Sequence, residues 1–370
     1  MLNKLDLNLD VTSWIRGPRT SVGLCARRLE SSLRRISSVE TGLSLSTWTR
    51  RAPAKADIPS LSLDSAELLA RTKELGVLQK WSGVEGLYHS VDPILSRLKN
   101  SRRVMTVHDC WTLWENSYQA PEFQRAQKRK FERSLRRADH VIVPSLHVQS
   151  QLVERKPELK GRVTVIPWGP LLSNETAPIL APKGPASVVE AYLAKGRPFF
   201  LCVANLEVRK NHELLFRAME SLPELDLVLV GGKGYGWEAV EKRREELCAK
   251  TPCFWFQDLS TSDMSALYGA SLAVVLPSLD EGFGLPACEA MFFDKPLVLS
   301  QIAPFYEIAG SSALYFDPKD GVSDLRQILA ALASDASLRS SWASKVLTRK
   351  HLFSWELTAR AHLTLYRRLL

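Results

Sequence analysis

The residues with the clearest chemistry lie in one short segment, Glu281–Glu289, which reads E-G-F-G-L-P-A-C-E. The apolar run Leu272–Leu276 before it predicts a strand, and Ala287–Phe293 predicts a helix. Gly282 and Gly284 allow the intervening backbone to come close to a ligand. Because the N-terminus of a helix presents unpaired N–H groups and a partial positive charge, this strand–loop–helix pattern predicts a cradle for a phosphate.

Two glutamates stand at the ends of this segment. Glu281 precedes the loop, from where its carboxylate can reach past a phosphate towards a sugar. Glu289 lies one turn into the predicted helix and can accept hydrogen bonds from the hydroxyls of a ribose. An ordinary strand–turn–helix with two incidental glutamates fits the glycine loop alone equally well, but the ordered string of residues favours a ligand site.

Composition indicates a soluble globular protein with two domains. The chain has 370 residues, of which 45% are hydrophobic and 24% are charged, as is ordinary for that class. No apolar run approaches the roughly 18 residues of a membrane span, and Met1–Asp6 is too polar for a signal peptide. The six cysteines are scattered, without a C-x-x-C pair or metal-ligand spacing. We therefore expect a cytoplasmic protein with reduced thiols and no zinc site.

The net charge of +9 is concentrated in two segments, Arg16–Lys55 and Arg125–Arg137. Such segments are often the solvated faces of helices, and that interpretation stays open. The alternatives are contact with nucleic acid or with an anionic membrane surface. Because no nucleic-acid-binding motif accompanies the charge, we predict no nucleic-acid partner. We prefer an anionic acceptor or peripheral contact with the inner face of the membrane.

Predicted strands and helices alternate along the chain, which indicates parallel sheets flanked by helices. The strands read as nearly continuous apolar runs, as buried parallel strands should. The predicted strands are Val104–Val107, Val141–Val143, Val163–Ile166, Phe199–Val203, Leu225–Val230, Val274–Leu276 and Leu297–Leu299. The predicted helices are Glu122–Arg137, His147–Arg155, Glu213–Ser221, Trp237–Lys250 and Ser262–Ala270. The fold class is therefore α/β, with two doubly wound domains and a ligand between them, bound beyond the carboxyl ends of the strands.

A proline-rich stretch, Gly169–Arg197, has the composition of an interdomain linker, although Ala186–Ala194 within it could form a short helix. We predict a first domain over residues 1–180 and a second over residues 190–350. Residues 351–370 form a C-terminal helix that could cross back to the first domain. Ser354 is placed to cap that helix.

The string E-G-F-G-L-P-A-C-E-A resembles the E-x7-E motif of the retaining glycosyltransferases of group 1, also called family 4. That family has the GT-B fold, in which two Rossmann-like domains face a cleft; the first domain usually binds the acceptor and the second the nucleotide sugar. Asn205–Asn211 resembles the family's loop that binds the donor diphosphate through an arginine and a lysine. The resemblance implies this role for Arg209 and Lys210. Two cations beside a helix N-terminus would neutralise a diphosphate and stabilise it as a leaving group.

Other segments extend the resemblance over nearly the whole chain. Thr106–Asp109 (T-V-H-D) resembles the strand end that places a histidine in the cleft, and Thr20–Gly23 resembles the family's first glycine loop. Further matches are Ala138–Ser145, Val163–Gly169, Tyr268–Ser278 and Ala313–Pro318. The chain departs from the family's usual residues at Trp168, where asparagine is usual, at Ala204, where glycine is frequent, and at Asp294-Lys295, where glycine is usual.

The resemblance implies a site of named residues. His108 contacts the donor sugar, although a lone histidine at a strand end is more often structural, and Glu281 orients the hydroxyls of the sugar. The donor-binding residues are Arg209, Lys210, Gly282, Phe283, Gly284, Leu285, Glu289 and Gly23. Neither a metal ion nor another cofactor is expected. The family relies on basic side chains and helix dipoles, and the chain has no D-x-D motif in a suitable loop.

The donor is a nucleotide sugar, for which GDP-mannose is the leading candidate. T-V-H-D together with E-V-R-K-N resembles bacterial mannosyltransferases of O-antigen or exopolysaccharide assembly; UDP-glucose, UDP-GlcNAc and dTDP-rhamnose are alternative donors. Base recognition is expected near Phe256–Leu259 and Gly231–Gly236. The acceptor is a glycan or a lipid-linked glycan. Trp111 and Trp114 could stack on its ring or belong to the core.

Two other functional classes stay open on the sequence alone. A nucleotide-sugar 2-epimerase or a glycogen-phosphorylase-like enzyme would share the two-domain fold. The epimerases lack this pairing of motifs, and the lysine motif that binds pyridoxal phosphate in the phosphorylases is absent. A non-catalytic module for anionic surfaces would not need Glu281, Arg209 and Lys210 together.

Overall fold

The computed structural model describes residues 5–16, 20–38, 43–48, 86–96, 98, 101–113, 118–172 and 187–370. The chain divides into two compact units, Met1–Leu171 with Ser354–Leu370, and Leu172–Phe353. Three segments singled out in the sequence lie partly outside the described residues: the linker (residues 173–186), much of the basic segment 16–55, and the aromatic loop at 114–117, which includes Trp114.

The first unit contains a six-stranded parallel sheet with the strand order β2-β1-β3-β4-β5-β6. Its strands are β1 (Leu5–Asp10), β2 (Leu43–Trp48), β3 (Leu87–Ser90), β4 (Arg102–Thr106), β5 (His140–Val143) and β6 (Val163–Val165). The order reverses between β1 and β3, so the connections that follow these strands diverge at the carboxyl edge of the sheet. Asp10, buried at the end of β1, accepts hydrogen bonds from Thr12 Oγ1 (2.5 Å) and from the hydroxyl of Tyr88.

The helices described before the second unit, in the ranges given above, are α1 (Thr12–Arg16), α2 (Ser21–Ser37), α3 (Pro121–Arg137) and α4 (Leu146–Arg155). Ser145 begins α4, because its Oγ accepts a hydrogen bond from the N–H of Val148 at 3.2 Å. The buried residues of α3 are Phe131, Ser134 and Leu135, which pack on the sheet while most of the basic residues of this helix face solvent.

The second unit contains another six-stranded parallel sheet, with the order β12-β11-β10-β7-β8-β9. Its strands are β7 (Phe199–Val203), β8 (Asp226–Val230), β9 (Cys253–Phe256), β10 (Val274–Leu276), β11 (Leu297–Ser300) and β12 (Leu314–Phe316). The order reverses between β7 and β10, where an open α/β sheet binds its ligand. The predicted alternation of parallel strands and helices is confirmed in both units.

The helices of the second unit cover the two faces of its sheet. They are α5 (Val188–Leu193), α6 (His212–Met219), α7 (Trp237–Cys248), α8 (Thr261–Ala270), α9 (Leu285–Phe292), α10 (Ala303–Ala309), α11 (Val322–Ser334) and α12 (Ala336–Lys350). One apolar cluster joins the inner faces of β7 and β8 to α6 and α11. Helix α9 begins two residues before the predicted Ala287, since Gly284 provides a left-handed cap and Leu285-Pro286 form the first turn.

The C-terminal helix α13 (Trp355–Leu369) belongs to the first unit. Ser354 caps it by accepting a hydrogen bond from the N–H of Leu357 at 3.1 Å, as the sequence predicted. Trp355 Nε1 donates to the carbonyl oxygen of Pro170 (2.7 Å), and Thr358 Oγ1 donates to that of Pro167 (2.7 Å). These bonds fasten the last helix of the chain to the segment that follows β6.

Candidate active site

The loops that carry the basic and acidic site residues leave neighbouring strands, β7 and β10, at the switch point of the second sheet. Asn211 has a left-handed backbone (φ 53°) and donates from Nδ2 to the carbonyl oxygens of Pro277 (3.1 Å) and Pro318 (2.8 Å). The N–H of Leu279 donates to the carbonyl oxygen of Arg209 (2.9 Å). These bonds hold the two loops side by side, so residues 71 positions apart can meet.

Glu281 joins the two cations of the site. Its Oε1 accepts hydrogen bonds from Lys210 Nζ (2.5 Å) and Ser278 Oγ (2.7 Å), and its Oε2 accepts one from Arg209 Nη1 (3.3 Å). The three charged side chains are only 7–12% exposed. The structure therefore brings together Arg209, Lys210 and Glu281 in one buried cluster.

The cluster keeps Glu281 ionised. Burial would raise the pKa of this carboxyl, but the charges of Lys210 and Arg209 outweigh burial and hold the pKa at about 2. Arg209 also donates to the carbonyl oxygen of Asp280 (2.7 Å) and to the carboxylate of Glu207. Both cations are thus ordered before any ligand binds, and Glu281 is an acceptor of hydrogen bonds at neutral pH.

Helix α9 begins at Leu285, directly after its cap residue Gly284. Gly284 has a φ of 106°, and a Cβ here would lie 2.9 Å from the ring of Phe305, so only glycine fits. No side chain of the described residues caps this helix. Pro286 has no N–H, and the N–H groups of Ala287 and Cys288 donate to the carbonyl oxygen of Gly284, so the helix offers an anion its positive end. Phosphate binding by this loop stays a prediction.

The other residues of the predicted loop differ in what they present. The ring of Phe283 is buried and packs edge-on against Phe353, with 6.0 Å between ring centroids. Gly282 is buried, and Leu285 is half-buried in the first turn of α9. The backbone of Gly282, Phe283 and Leu285, rather than their side chains, is therefore what the loop can offer to a phosphate.

Glu289 is buried one turn into α9, where Tyr268 OH donates to its Oε2 at 2.7 Å. Burial, reinforced by the charge of Glu289, raises the pKa of Tyr268. The phenol therefore stays protonated and donates to the carboxylate. Tyr268 thus fixes the orientation of the Glu289 carboxylate, which is predicted to bind a ribose.

The two segments predicted to recognise the base lie against each other. The N–H of Gly231 donates to the carbonyl oxygen of Phe256 (3.1 Å), and Trp255 Nε1 donates to the carbonyl oxygen of Gly231 (2.8 Å). A Cβ on Gly231 would lie 2.2 Å from the carbonyl oxygen of Ala204. Glycine at 231 thus allows its backbone to come close to the loop after β7. Ala204, a position at which the chain departs from the family, lies in that loop.

His108 follows β4 in the first unit. Its Nε2 lies 2.8 Å from the carbonyl oxygen of Val91; because a carbonyl only accepts, Nε2 carries the proton. Burial lowers the pKa of His108 to about 4, which makes the ring neutral at pH 7 and leaves Nδ1 as an acceptor. The ring stacks on Trp168, with 5.6 Å between centroids and an interplanar angle of 19°.

A cavity of about 250 Å³ lies beside His108 within the first unit. Polar and aromatic side chains line it, including Asp109, Thr112, Gln119, Phe123 and Gln127. The buried Oε1 of Gln119 has no hydrogen-bond partner among the described residues. The cavity offers amide and hydroxyl groups together with an aromatic edge, which suits a polyhydroxylated ligand.

Gly23 lies in the first turn of α2, in the first unit, and its N–H donates to Thr20 Oγ1 at 3.1 Å. The amide that a glycine loop would offer to a phosphate therefore has a partner within its own helix. Donor binding by Gly23 stays a prediction.

Three residues that contribute to the site were not assigned from the sequence. Ser278 holds Glu281, Tyr268 holds Glu289, and Trp168 supports His108. The contact of Ser278 with Glu281 could have been predicted, since the two residues lie close together in the sequence of the same loop. The contacts of Tyr268 and Trp168 join distant parts of the chain and leave no local signal.

Within the described ranges, no helix has the length and apolar character that a membrane crossing requires. In the same ranges, no three or more His, Cys, Asp or Glu side chains are gathered as a metal ion would need. All six cysteines lie in described ranges, and none forms a disulfide.

Comparison with known proteins identifies both units. The family described as Glycosyl transferases group 1 matches residues 189–347, and Glycosyltransferase Family 4 matches residues 87–169. The O-antigen chain mannosyltransferase B of Escherichia coli is 26% identical over 313 residues, which are 80% of this chain and 77% of that protein. The serotype-specific mannosyltransferase WbdA of Escherichia coli is 33% identical over 151 residues, 39% of this chain but only 18% of that protein.

Solved structures agree on the fold. The sucrose-phosphate synthase from Thermosynechococcus elongatus superposes with a TM-score of 0.73 at 20% sequence identity, with 99% of each chain covered. At this identity the likeness concerns the fold alone. With both units matched in order, and with the cluster of Arg209, Lys210 and Glu281 in place, the chain belongs to the group 1, or family 4, glycosyltransferases of GT-B fold.

Proposed function

We propose that the chain transfers mannose from GDP-mannose, with retention of the anomeric configuration, onto a glycan or lipid-linked acceptor of cell-surface polysaccharide synthesis in the cytoplasm. The observation that carries the transfer chemistry is the buried cluster of Arg209, Lys210 and Glu281 beside the uncapped start of α9. Relatives named as mannosyltransferases, one of them an O-antigen chain mannosyltransferase, support the choice of mannose. UDP-glucose, UDP-GlcNAc and dTDP-rhamnose are the alternative donors.

In this reaction the leaving group is a nucleoside diphosphate. Its terminal phosphate gains negative charge as the bond to the anomeric carbon breaks. Arg209, Lys210 and the positive end of α9 stabilise the charge that develops on the phosphate in the transition state more than they stabilise the charge of the bound donor. Because bonds to Glu281 and Asp280 order the cations beforehand, little reorganisation is needed when the donor binds. The chain's own cations supply the charge, so the proposal includes no metal ion.

Two residues are assigned to the transferred sugar. Glu281 is ionised and accepts hydrogen bonds from sugar hydroxyls, and the neutral His108 accepts one through Nδ1. Glu289, oriented by Tyr268, accepts hydrogen bonds from the ribose. The acceptor hydroxyl attacks from the face that the diphosphate leaves and passes its proton to the departing phosphate, which retains the configuration.

The cavity beside His108 is the proposed acceptor pocket. Thr112, Gln119 and Gln127 offer hydrogen-bonding groups. Oε1 of Gln119, which has no partner among the residues that the structure describes, accepts a hydrogen bond from a sugar hydroxyl. Phe123, which is 53% exposed at the rim, presents an aromatic surface of the kind on which sugar rings stack.

Helix α3 is the proposed membrane contact. Arg125, Arg129 and Arg136 are exposed and recur at helical spacing along one face, while the opposite face packs on the sheet through Phe131 and Leu135. A stripe of cations on a folded helix attracts anionic lipid headgroups by about 1 kcal/mol per residue.

Ligand-induced thermal stabilisation tests the donor site. We expect GDP-mannose to raise the melting temperature more than the three alternative donors do, and Lys210→Met to lose the effect. Lys250→Met is the matched control, because Lys250 is exposed in the same unit and pairs with Glu220 at 3.6 Å. Stabilisation by a different donor would disprove the choice of mannose. Stabilisation by none, or an unchanged response in Lys210→Met, would disprove the donor site.

The product distinguishes transfer from epimerisation. With GDP-mannose and a lipid-linked glycan fraction, transfer yields a lengthened glycan whose anomeric proton, read by NMR, has the configuration of the donor. Inversion would contradict the proposed mechanism. Conversion of UDP-GlcNAc to its 2-epimer without any acceptor would favour the epimerase instead.

Co-sedimentation with vesicles tests the membrane contact. We expect binding to phosphatidylcholine vesicles that contain phosphatidylglycerol, weakening with salt, and loss of binding in Arg129→Glu/Arg136→Glu. The control variant, Lys242→Glu/Lys319→Glu, makes the same change of net charge at exposed positions of the second unit. Equal loss in both double variants would refute a role specific to α3.

A further inference from the structure

Two cysteines meet at the end of α7. Cys248 is the last residue of this helix and is exposed, whereas Cys253 begins β9 and is buried. Cys248 Sγ donates a hydrogen bond to the carbonyl oxygen of Cys253 at 3.3 Å, which places the two cysteines side by side. The other four cysteines of the chain are buried, so Cys248 is the thiol that solvent reaches.

Arg244 lies one turn earlier on α7 and faces the pair. Its Nη1 donates to Cys248 Sγ (3.3 Å) and to the carbonyl oxygen of Cys253 (3.1 Å). Its Nε and Nη2 donate to the two carboxylate oxygens of Glu241, each at 2.7 Å. The bidentate hydrogen bond to Glu241 fixes the guanidinium in an orientation that holds its positive charge beside the exposed sulfur of Cys248.

These contacts divide the two thiols into unlike roles. The hydrogen bond from Cys253, with the charge of Arg244, outweighs partial burial and lowers the pKa of Cys248 to about 6. The same hydrogen bond, with burial, raises the pKa of Cys253. At neutral pH the pair therefore holds an exposed thiolate beside a buried thiol that keeps its proton.

We propose that Cys248 and Cys253 form a peroxide-oxidisable dithiol, in which Cys248 is the nucleophile and Cys253 the resolving thiol. The Cys248 thiolate attacks one oxygen of hydrogen peroxide; the S–O bond forms, the O–O bond breaks, and hydroxide leaves. Cys253 loses its proton and attacks the sulfur of the resulting sulfenic acid, which releases hydroxide and forms the disulfide. Overall, two thiols lose two electrons, and one peroxide is reduced to two waters.

The dithiol is separate from the donor site. Cys253 begins β9 at the amino end of the strand, whereas the segment predicted to recognise the base starts at its carboxyl end with Phe256. Oxidation can therefore be measured with no nucleotide sugar or acceptor present, and its outcome does not depend on the proposed function.

The first test is the pH dependence of alkylation by iodoacetamide, followed at Cys248 by peptide mass spectrometry. A pKa near 6 makes about 90% of the thiol ionised at pH 7, against about 3% for an ordinary cysteine. We expect the rate to rise with a midpoint near pH 6 and then level off. Arg244→Gln should move the midpoint upward, whereas Arg243→Gln removes a neighbouring charge that pairs with Glu213 and should leave it unchanged.

The second test is treatment of the intact protein with hydrogen peroxide. The wild type should lose two hydrogen masses, yield a peptide that links Cys248 to Cys253, and recover with dithiothreitol. Cys253→Ser should accumulate a sulfenic acid at Cys248 that dimedone traps, and Cys248→Ser should leave Cys253 unmodified. A midpoint above pH 8 in the wild type, or oxidation of Cys248 without a disulfide to Cys253, would overturn the proposal.

Discussion

Glu281→Gln isolates the charge at the centre of the donor site, since the amide keeps the size of the side chain and can still accept the hydrogen bond from Ser278. The pKa of Glu281 is about 2 in the folded protein, against an ordinary value of 4.5. That difference means that the folded state favours the ionised form by about 3 kcal/mol. Because glutamine carries no charge, we expect the free energy of unfolding to fall by about 3 kcal/mol at pH 7.

The pH dependence of this loss follows from the sign of the pKa change. The pKa of Glu281 is lower in the folded than in the unfolded chain, so the stabilisation is complete above about pH 4.5 and is lost as the pH falls towards 2. The difference in stability between the wild type and Glu281→Gln should therefore shrink from about 3 kcal/mol at pH 7 to about 2 kcal/mol at pH 3.5.

Urea unfolding, monitored by tryptophan fluorescence at both pH values, measures this difference. Glu238→Gln is the matched control, since Glu238 is an exposed glutamate of the same unit and should change stability by less than about 0.5 kcal/mol. Equal stability of Glu281→Gln and the wild type at pH 7 would refute the ion pairs of Glu281 with Lys210 and Arg209. A difference that did not shrink at pH 3.5 would refute the assignment of the effect to the carboxylate charge.

Two further predictions concern the residues that shape the site. Gly284→Ala should destabilise the second unit by about 1–3 kcal/mol in thermal unfolding, because φ is 106° and the new Cβ would meet Phe305 at 2.9 Å. The control is Gly269→Ala on α8, whose Cβ meets nothing within 4 Å and which should be neutral or stabilising. Equal effects of the two substitutions would contradict the argument. Tyr268→Phe removes the hydrogen bond to Glu289, so we expect the KM for the donor to rise about 5- to 10-fold with kcat little changed; a fall in kcat alone would contradict a role in ribose binding.

The parts of the fold that local chemistry dictates could be predicted from the sequence. Continuous apolar runs indicated β7, β8 and β10, and Ser354 indicated the start of α13. Strand β1 is not among the predicted strands, which are nearly continuous apolar runs. Its sequence L-D-L-N-L-D alternates polar and apolar residues, a pattern typical of a strand with only one buried face. The structure buries Asn8 and Asp10 of this strand and satisfies Asp10 with the hydroxyl of Tyr88, 78 residues away. Such a partner leaves no trace in the local pattern.

The same distinction applies to the site. The meeting of Arg209 and Lys210 with Glu281 could be expected, because loops at the carboxyl ends of neighbouring parallel strands share one edge of the sheet. The surroundings of His108 could not. In the sequence, Trp168 is notable only as a departure from the family. In the structure its ring stacks on His108 and on His362 of α13, with 5.9 Å between the ring centroids of Trp168 and His362. Its role depends on packing between distant segments.

The central claim is that Lys210, with Arg209, stabilises the departing diphosphate of a nucleotide sugar. Single-turnover release of GDP from GDP-mannose, measured in the presence of a lipid-linked glycan fraction, tests it most directly. Because the charge on the leaving group grows in the transition state, Lys210→Met should slow release by about 100-fold or more at saturating donor. An unchanged rate of release in the folded variant would contradict the claim.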